Sequence, residues 1–200
     1  GTSLAIASSY NRKCLIIWVR NKKQKQIFKK FFFNKKYTSS TILNNNIILT
    51  LSIKTLCKKS QILLFATPSF SFRYMLLKIN KYIKHYHKIV ISCKGLSNGI
   101  FFHKIITNKF YNNKIAILTG PSFAKEIISK KPTAINIASN DKYLLLEILL
   151  YFHSNIFQIY SCVDIIGTQV SGIYKNILSF ICGINDSLKF GNNSRSIIIT

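Results

Sequence analysis

Carboxylate side chains are scarce in this chain of 200 residues. It has five Asp and Glu residues against 29 Lys and Arg, which gives a formal net charge of +24. Residues 1–125 contain no acid at all, and the five acids are Glu126, Asp141, Glu147, Asp164 and Asp186. Hydrolysis by paired carboxylates and carboxylate-rich metal sites therefore have little to build from. Any chemistry must depend on Lys, Ser, Asn, His or a cofactor.

The cysteines and histidines form neither a disulfide pattern nor a metal pattern. Cys-x-x-Cys does not occur, and the cysteines are odd in number and widely spaced: Cys14, Cys57, Cys93, Cys162 and Cys182. This spacing is typical of reduced thiols in the cytoplasm. His85 and His87 are two residues apart and would not share one face of a helix. The sequence therefore predicts a cytoplasmic protein without a metal site.

Long apolar runs and a secretory leader are also missing. No uninterrupted apolar stretch approaches the ~18 residues that cross a bilayer, and no charged segment followed by an apolar one opens the chain. We therefore expect no membrane partner. The chain starts at Gly1 rather than at an initiator Met, and it ends at Thr200 within an apolar helical pattern. We expect it to be an internal fragment of a longer protein.

The basic excess is compatible with a nucleic-acid-binding module. However, the lysines are spread along the chain among Ile and Asn, as in residues 29–36 and 44–46, and are not gathered on one face. Such a distribution is typical of compositional drift at permissive surface positions, although a positive field can also serve an anionic substrate. We predict no nucleic-acid partner and keep the nucleic-acid-binding module as a less favoured alternative.

Apolar runs of strand length alternate with segments of helix length along the chain. The predicted strands are Lys13–Val19, Asn46–Leu51, Gln61–Thr67, Lys88–Ser92, Lys114–Leu118, Thr133–Ala138 and Phe157–Tyr160. The predicted helices are Thr2–Tyr10, Lys22–Phe33, Ser69–His85, Ser122–Lys130 and Lys142–Tyr151. This alternation predicts an α/β fold with a doubly wound, mostly parallel, Rossmann-like sheet. After Asp164 the pattern predicts one long helix, Gly167–Leu188, which starts an all-helical C-terminal domain.

One short stretch, Thr119–Glu126, has the composition of a turn that can bind a ligand. It follows the apolar run Lys114–Leu118 and opens a predicted helix. Gly120 permits backbone angles that other residues resist, Pro121 fits a helix start, and Ser122 can cap the first turn. A strand, a glycine turn and a helix N-terminus together can present backbone amides to an anion. Alone, the pattern is more typical of an ordinary strand-to-helix turn.

Further motifs occur in a fixed order around this turn. They are Ser92–Leu96, Asp164–Gly167, Gly172–Asn176, Gly183–Asp186 and Phe190–Asn193. With these motifs the chain resembles the bacterial NAD(P)-dependent glycerol-3-phosphate dehydrogenases over essentially its whole length. Gly1–Ala5 is similar to the end of the family's first glycine-rich turn, and Ala66–Ser69 to its motif after the strand that faces the cofactor. Each motif is weak by itself, but their order and spacing are specific.

The resemblance implies a dinucleotide-binding domain over residues 1–165 and the start of a helical substrate domain over residues 166–200. Gly1 then matches the last glycine of the Gly-x-Gly-x-x-Gly fingerprint, whose first strand and first two glycines would precede it. The family's Arg-Asn clamp for the substrate phosphate would fall after Thr200, and Arg195 does not match it. Because the first strand is central in doubly wound sheets, we expect the isolated chain to be inactive and poorly stable.

A lysine suits the reduction of a ketone, because the developing alkoxide needs a positive or hydrogen-bonding neighbour. Lys175 lies in the otherwise apolar stretch Ile173–Ile181, where a lysine by itself is more often a surface residue with a buried stem. The resemblance implies instead that Lys175 is the catalytic proton donor to dihydroxyacetone phosphate. It implies substrate contacts for Lys94, Gly120, Ser122, Lys175 and Asn176.

The same resemblance implies NAD(P)H as cofactor, with contacts from Gly1, Pro68, Lys94 and Ala124. Arg20 is a further candidate, since it follows the second strand of the fold. A carboxylate there binds the ribose 2′-hydroxyl of NAD, whereas an Arg accepts the 2′-phosphate of NADP. Lys22 and Lys23 follow Arg20, and no carboxylate precedes Glu126. We therefore expect NADPH to be accepted at least as well as NADH.

The remaining residues of these motifs are expected to be structural. Asp164 is predicted to cap the helix that follows it, Asp186 to have a structural role, and Pro121 and Phe123 to pack.

The function implied by the resemblance is an oxidoreductase that interconverts dihydroxyacetone phosphate and sn-glycerol 3-phosphate and supplies glycerophospholipid synthesis. Its partner is a small-molecule substrate, and the protein can form a homodimer. The alternative is another two-domain NAD(P)-dependent dehydrogenase, acting on a hydroxy acid or a sugar acid. The segment Gly120–Glu126 argues against that alternative, because it resembles one family specifically.

Overall fold

The computed structural model describes residues 1–11, 14–31 and 44–200. The strands are β1 (Leu15–Trp18), β2 (Ile47–Thr50), β3 (Ile62–Phe65), β4 (Lys88–Ile91), β5 (Leu96–Ser97), β6 (Ile100–Phe101), β7 (Ile115–Thr119), β8 (Thr133–Ala138) and β9 (Phe157–Cys162). The helices are α1 (Thr2–Ser9), α2 (Lys22–Phe31), α3 (Ile53–Lys59), α4 (Phe72–Ile79), α5 (Phe102–Lys109), α6 (Ala124–Ile128), α7 (Lys142–Phe152), α8 (Ile165–Ser187) and α9 (Gly191–Ile199). Single 3₁₀ turns flank α4 at Ser69–Ser71 and Asn80–Tyr82.

A five-stranded sheet with the order β3-β4-β7-β8-β9 forms the centre of the fold. Strands β3, β4 and β7 are parallel, β8 is antiparallel to β7, and β9 is parallel to β8. The predicted α/β, mostly parallel, Rossmann-like fold followed by a helical segment is confirmed. The antiparallel β8 lets β7 and β8 follow each other with only the short helix α6 between them.

Helices cover both faces of this sheet, which explains why its strands are nearly continuous apolar runs. On one face, Val90 and Ala116 are buried with residues of α1 and α7. On the other face, Ile89 and Ile91 are buried with Phe72 of α4 and residues of α5. Neighbouring residues of β4 thus serve opposite faces, as a period of two requires.

Strands β1 and β2 form a separate parallel pair. Between β1 and β3 lies a groove of about 530 Å³, lined by the edges of both strands together with parts of α1. A small apolar cluster of Ile6, Val19 and Phe28 holds α1 and α2 against the β1–β2 pair. Helix α1 therefore packs against both sheets, although no backbone pairing joins β1 to β3.

Several predicted boundaries were wrong. The helix expected over residues 69–85 divides into α4 and its two 3₁₀ turns, and the helix expected over residues 122–130 shortens to α6. Helices α3, α5 and α9 and the β5–β6 hairpin were not predicted. The hairpin turns through Asn98 and Gly99, both at positive φ (52° and 72°), the usual chemistry of a tight hairpin turn. Lys13, the first residue of one predicted strand, and Phe32–Phe33, the end of one predicted helix, lie outside the described residues.

The long helix α8 begins where the sequence predicts a cap. The Asp164 carboxylate accepts a hydrogen bond from the backbone N–H of Gly167 at 2.8 Å, so the predicted capping role is confirmed. The helix continues through 23 residues and crosses β7 and β8. In the described part of the chain, no helix has both the length and the apolar content needed to cross a membrane.

Two ion pairs tie α7 to the amino ends of the parallel strands. Lys88 at the start of β4 pairs with Glu147, and the Lys114 Nζ lies 2.7 Å from Asp141 Oδ2. The other oxygen of Asp141 accepts the Leu144 N–H at 2.7 Å and caps α7. The hydrogen bond from Lys114 holds the pKa of Asp141 below its usual range.

This pair gives the stability of the protein a dependence on acid pH. Because folding lowers the pKa of Asp141, its charge stabilises the protein above the usual pKa of about 4, and that contribution is lost as the pH falls through the lowered value. Asp141→Asn keeps a capping side chain but loses the charge. We expect urea unfolding of the whole protein to show a parent-minus-variant difference near neutral pH that shrinks below about pH 4.

Asp141→Ala is the companion variant for this measurement. It should cost about 1 kcal/mol more than Asp141→Asn at every pH, since it also removes the cap. Identical pH profiles for the parent and Asp141→Asn would show that the Lys114–Asp141 pair contributes nothing to stability.

Candidate active site

The candidate site lies where the parallel strands β3, β4 and β7 end. In open α/β sheets the carboxyl ends of the strands form the ligand-binding edge. Pro68 follows β3, Lys94 follows β4 and Gly120 follows β7. Helix α8 packs across β7 and brings Lys175 to the same edge. The predicted residues Lys94, Gly120 and Lys175 are therefore brought together.

Two lysines converge on one backbone oxygen. Lys94 Nζ donates a hydrogen bond to the Gly120 carbonyl at 3.0 Å, and Lys175 Nζ donates to the same oxygen at 3.4 Å. Both side chains are half-buried. Among residues 1–11, 14–31 and 44–200, neither lysine forms an ion pair with a carboxylate. The site thus offers two ammonium groups whose charges are free to meet an anionic ligand.

Burial and a neighbouring charge act on Lys94. Burial lowers the pKa of Lys94, and the neighbouring charge of Lys175 lowers it further. A lysine with a lowered pKa exchanges protons more readily near neutral pH. The pair can therefore hold a polar oxygen and also move a proton.

Phe123 contacts the candidate catalytic lysine directly. Its ring centroid lies 4.7 Å from Lys175 Nζ, within the range of a cation–π interaction. The sequence predicts only packing for Phe123, and this contact was missed because Phe123 and Lys175 are 52 positions apart, far outside any local pattern. The ring therefore lies against the ammonium group of Lys175.

Ser122 lies in this turn but does not cap a helix. Helix α6 begins at Ala124 after Phe123, and no side chain caps it. The Ser122 hydroxyl instead donates to the Gly120 carbonyl at 3.3 Å. The predicted capping by Ser122 was therefore wrong, and Pro121 does not adjoin the helix start as expected, because α6 begins three residues after it. Ser122 lies within reach of the oxygen that the two lysines share.

Gly120 is needed where it stands because the chain passes very close to β8. Its φ is +153°, and a Cβ there would lie 2.9 Å from Ile135 Cα and 3.1 Å from the Ala134 carbonyl oxygen. Backbone atoms cannot yield as a flexible side-chain end can. The glycine therefore sets where the shared carbonyl points.

The start of α1 lies beside the same edge. A Cβ on Gly1 would be 3.6 Å from the Ala66 Cβ, and no side chain caps the helix. The Thr67 hydroxyl and the Cys93 thiol are 3.6 Å apart and connect the loop after β3 to the loop after β4. Through these contacts the predicted cofactor residues Gly1, Pro68 and Lys94 come into one neighbourhood.

Other predicted residues lie further out. Arg20 is exposed after β1, Ala124 is exposed at the start of α6, and Asn176 is exposed beside Lys175 on α8. In the part of the chain that the structure describes, no hydrogen bond or ion pair joins these three side chains to Lys94 or Lys175.

A polar pair that the sequence did not reveal, buried Gln169 and half-buried His103, joins α8 to α5. Gln169 is 5% exposed, and its side chain bonds the His103 ring, while its Oε1 accepts the His103 backbone N–H at 3.4 Å. Burial lowers the pKa of His103. Within the described ranges, no three or more His, Cys, Asp or Glu side chains are grouped as metal ligands.

Comparison with known proteins agrees with this geometry. The sequence model of the NAD-dependent glycerol-3-phosphate dehydrogenase N-terminus matches residues 1–145, and that of the same family's C-terminus matches residues 164–200. A glycerol-3-phosphate dehydrogenase [NAD(P)+] from Halothermothrix orenii is 33% identical over the whole chain, and one from Blochmanniella pennsylvanica is 34% identical. The chain covers 59% of each of these two relatives.

The solved structures agree as well. The crystal structure of glycerol-3-phosphate dehydrogenase from Coxiella burnetii matches 99% of this chain and 61% of its own with a TM-score of 0.92 at 26% identity. The predicted resemblance to this family is confirmed. The chain belongs to the NAD-dependent glycerol-3-phosphate dehydrogenase family.

Proposed function

We propose that the whole protein reduces dihydroxyacetone phosphate to sn-glycerol 3-phosphate with NADPH or NADH, and that it catalyses the reverse oxidation. The observation that carries this proposal is the convergence of Lys94 and Lys175 on the Gly120 carbonyl oxygen. A substrate ketone oxygen that replaces the Gly120 carbonyl as the acceptor of these two hydrogen bonds would meet two ammonium donors at once. Family membership supports the choice of substrate and cofactor.

Lys175 is the proton donor in this proposal. Its ammonium group stabilises the negative charge that develops on the ketone oxygen of the substrate and then transfers a proton to that oxygen. The reduced nicotinamide, when bound, supplies the hydride. Lys94 adds a second positive charge close by, and its pKa is lowered mainly by burial and further by the charge of Lys175. The product is an alcohol, and the lysine is left neutral until it regains a proton.

The substrate is held by short polar contacts at this edge. Ser122 reaches the Gly120 carbonyl, and Asn176 follows Lys175 on the exposed side of α8. In this proposal both contact the substrate beside Lys94, Gly120 and Lys175. The positive charge of the lysines attracts the phosphate dianion.

The residues at the edge fit a nicotinamide dinucleotide. Helix α1 starts directly after Gly1, and the backbone amides at such a helix N-terminus would face a pyrophosphate. Gly1, Pro68, Lys94 and Ala124 would hold the cofactor, and Arg20 would meet a ribose 2′-phosphate.

The wider organisation belongs to the same proposal. Residues 1–165 form the dinucleotide-binding domain, and residues 166–200 begin the helical substrate domain, a division that the two family matches support. The protein acts in the cytoplasm on a small molecule, supplies glycerophospholipid synthesis and forms a homodimer. It has no nucleic-acid or membrane partner.

The proposal is tested by following the absorbance of the reduced nicotinamide with the purified whole protein. We expect dihydroxyacetone phosphate to oxidise NADPH and yield sn-glycerol 3-phosphate, while unphosphorylated dihydroxyacetone is turned over far more slowly. The 200-residue chain alone should give no turnover. Oxidation of hydroxy acids or sugar acids, without turnover of dihydroxyacetone phosphate, would favour the alternative dehydrogenase.

A further inference from the structure

Helix α8 packs closely against β7 at Gly172. A Cβ built on this glycine would lie 2.7 Å from the Oγ1 of Thr119, a separation too short for two such atoms. The glycine is buried in the interior of a 23-residue helix, where Gly is less favourable than Ala. The close approach of helix and strand therefore depends on the missing side chain.

Thr119 faces this contact with a hydroxyl that has no other role in the described residues. The residue is 7% exposed, and its buried Oγ1 has no hydrogen-bond partner among them. A buried hydroxyl without a partner is unfavourable. Its place at the contact is explained by its volume, which fills the space below Gly172.

The contact between Thr119 and Gly172 lies close to both lysines and to the carbonyl that they share. Lys175 is three positions after Gly172 and so lies on the same face of α8, and Gly120 directly follows Thr119. The Cγ of Lys94 lies 4.0 Å from the same Cβ position. Lys175 Nζ lies 3.4 Å from the Gly120 oxygen. Because Lys175 is within one helical turn of Gly172, this distance depends on how closely α8 and β7 approach at the contact.

We propose that the Thr119–Gly172 contact is a steric stop that fixes the height of α8 above β7 and so positions Lys175 against the Gly120 carbonyl. Thr119 and Gly172 are then positioning residues for the proposed proton donor, and their catalytic part rests on the proposed function. A Cβ at position 172 would push α8 outward by up to about 1 Å, and a misplacement of that size can cost about 100-fold in rate.

The chain provides a matched control in the same helix. Among the described residues, a Cβ on Gly183 would meet nothing within 4 Å, so within this part of the chain Gly183→Ala adds the same methyl group without a collision. Removing the Thr119 hydroxyl should relieve the collision at position 172, because the next atom, Thr119 Cβ, is 3.6 Å away. The test set is Gly172→Ala, Thr119→Ala, the double variant and Gly183→Ala in the whole protein.

The first measurement is the rate of reductive methylation of Lys175, followed by peptide mass spectrometry, which does not depend on any dehydrogenase activity. We expect Gly172→Ala to raise that rate several-fold, the double variant to return it to the rate of Thr119→Ala, and Gly183→Ala to leave it unchanged. In the reductase assay, Gly172→Ala should lower kcat about 10- to 100-fold with a smaller change in KM.

Unchanged labelling in Gly172→Ala, or the absence of rescue in the double variant, would overturn the proposal. If Gly172→Ala does not fold, Thr119→Val decides the question, because valine keeps the volume at the contact and removes the hydroxyl. Labelling of Lys175 at the parent rate in Thr119→Val supports a steric stop, and faster labelling contradicts it. If the variants show the expected labelling rates of Lys175 but the whole protein has no reductase activity, only the proposed function is refuted.

Discussion

Replacing Lys175 with alanine is expected to lower the turnover of dihydroxyacetone phosphate by about 100-fold or more, the usual scale for the loss of a general acid. Lys175 is the lysine that α8 delivers to the Gly120 carbonyl, and its charge faces the Phe123 ring. Steady-state kinetics of the whole protein measure the effect, and it should appear in kcat more than in KM.

Lys175→Arg separates the charge of this residue from its proton. Arginine keeps the positive charge, but its pKa lies far above that of lysine, which prevents proton transfer near neutral pH. We therefore expect turnover to stay low in this variant while substrate binding is largely kept. Lys104→Ala, an exposed change on α5, is the control for general effects of removing a lysine. Turnover of Lys175→Ala within a few-fold of the parent would remove Lys175 from the mechanism.

A change of cofactor preference is the second large effect that we expect. Arg20→Asp replaces a bidentate partner for a 2′-phosphate with a carboxylate that repels it and can bind a ribose hydroxyl. A hydrogen bond to a charged group is worth about 1.5–3 kcal/mol, so the ratio of kcat/KM for NADPH to that for NADH should fall about 10- to 100-fold.

Arg20→Gln gives an intermediate case, because it removes the charge without reversing it. Its effect on the ratio should lie between the parent and Arg20→Asp. Lys54→Asp, an exposed reversal on α3, controls for the general loss of positive charge. A parent enzyme that strongly prefers NADH, or equal shifts in Arg20→Asp and Lys54→Asp, would refute the role of Arg20.

The sequence predicted the main strands and the start of α8 well because local patterns indicate them. The apolar runs of β3, β4 and β7 are continuous, as strands covered on both faces must be, and the Asp164 cap marks the start of α8. Shorter elements were missed where the signal is weak. Helix α3, for example, has seven residues and is marked mainly by Ser52, whose hydroxyl accepts the Thr55 N–H at 3.1 Å.

The site was predicted in part for a different reason. Lys94, Gly120 and Lys175 were found through motif resemblance, and the structure shows what local patterns cannot, that the two lysines share one oxygen. The contact of Phe123 with Lys175 and the contact of Thr119 with Gly172 each join distant positions. Such contacts follow from how α8 lies across the sheet, which no short stretch of sequence encodes.

The groove between β1 and β3 has a consequence for how the 200-residue chain unfolds. The β1–β2 pair and α2 pack on α1 through the apolar cluster of Ile6, Val19 and Phe28, and among the described residues no strand pairing joins them to the five-stranded sheet. Units with few shared contacts can open separately from the rest of a protein. Arg20 belongs to this smaller unit, whereas Lys94 and Lys175 belong to the larger one.

A dinucleotide that contacts Arg20 and Lys94 together would therefore add a connection that backbone pairing does not provide. Its binding free energy would stabilise the smaller unit most, since a ligand favours the state in which all of its contacts exist. Amide hydrogens of β1, α2 and β2 would then be the ones whose exchange slows most when cofactor binds. In this chain, cofactor binding and the cooperativity of folding would then both depend on contacts made across the groove.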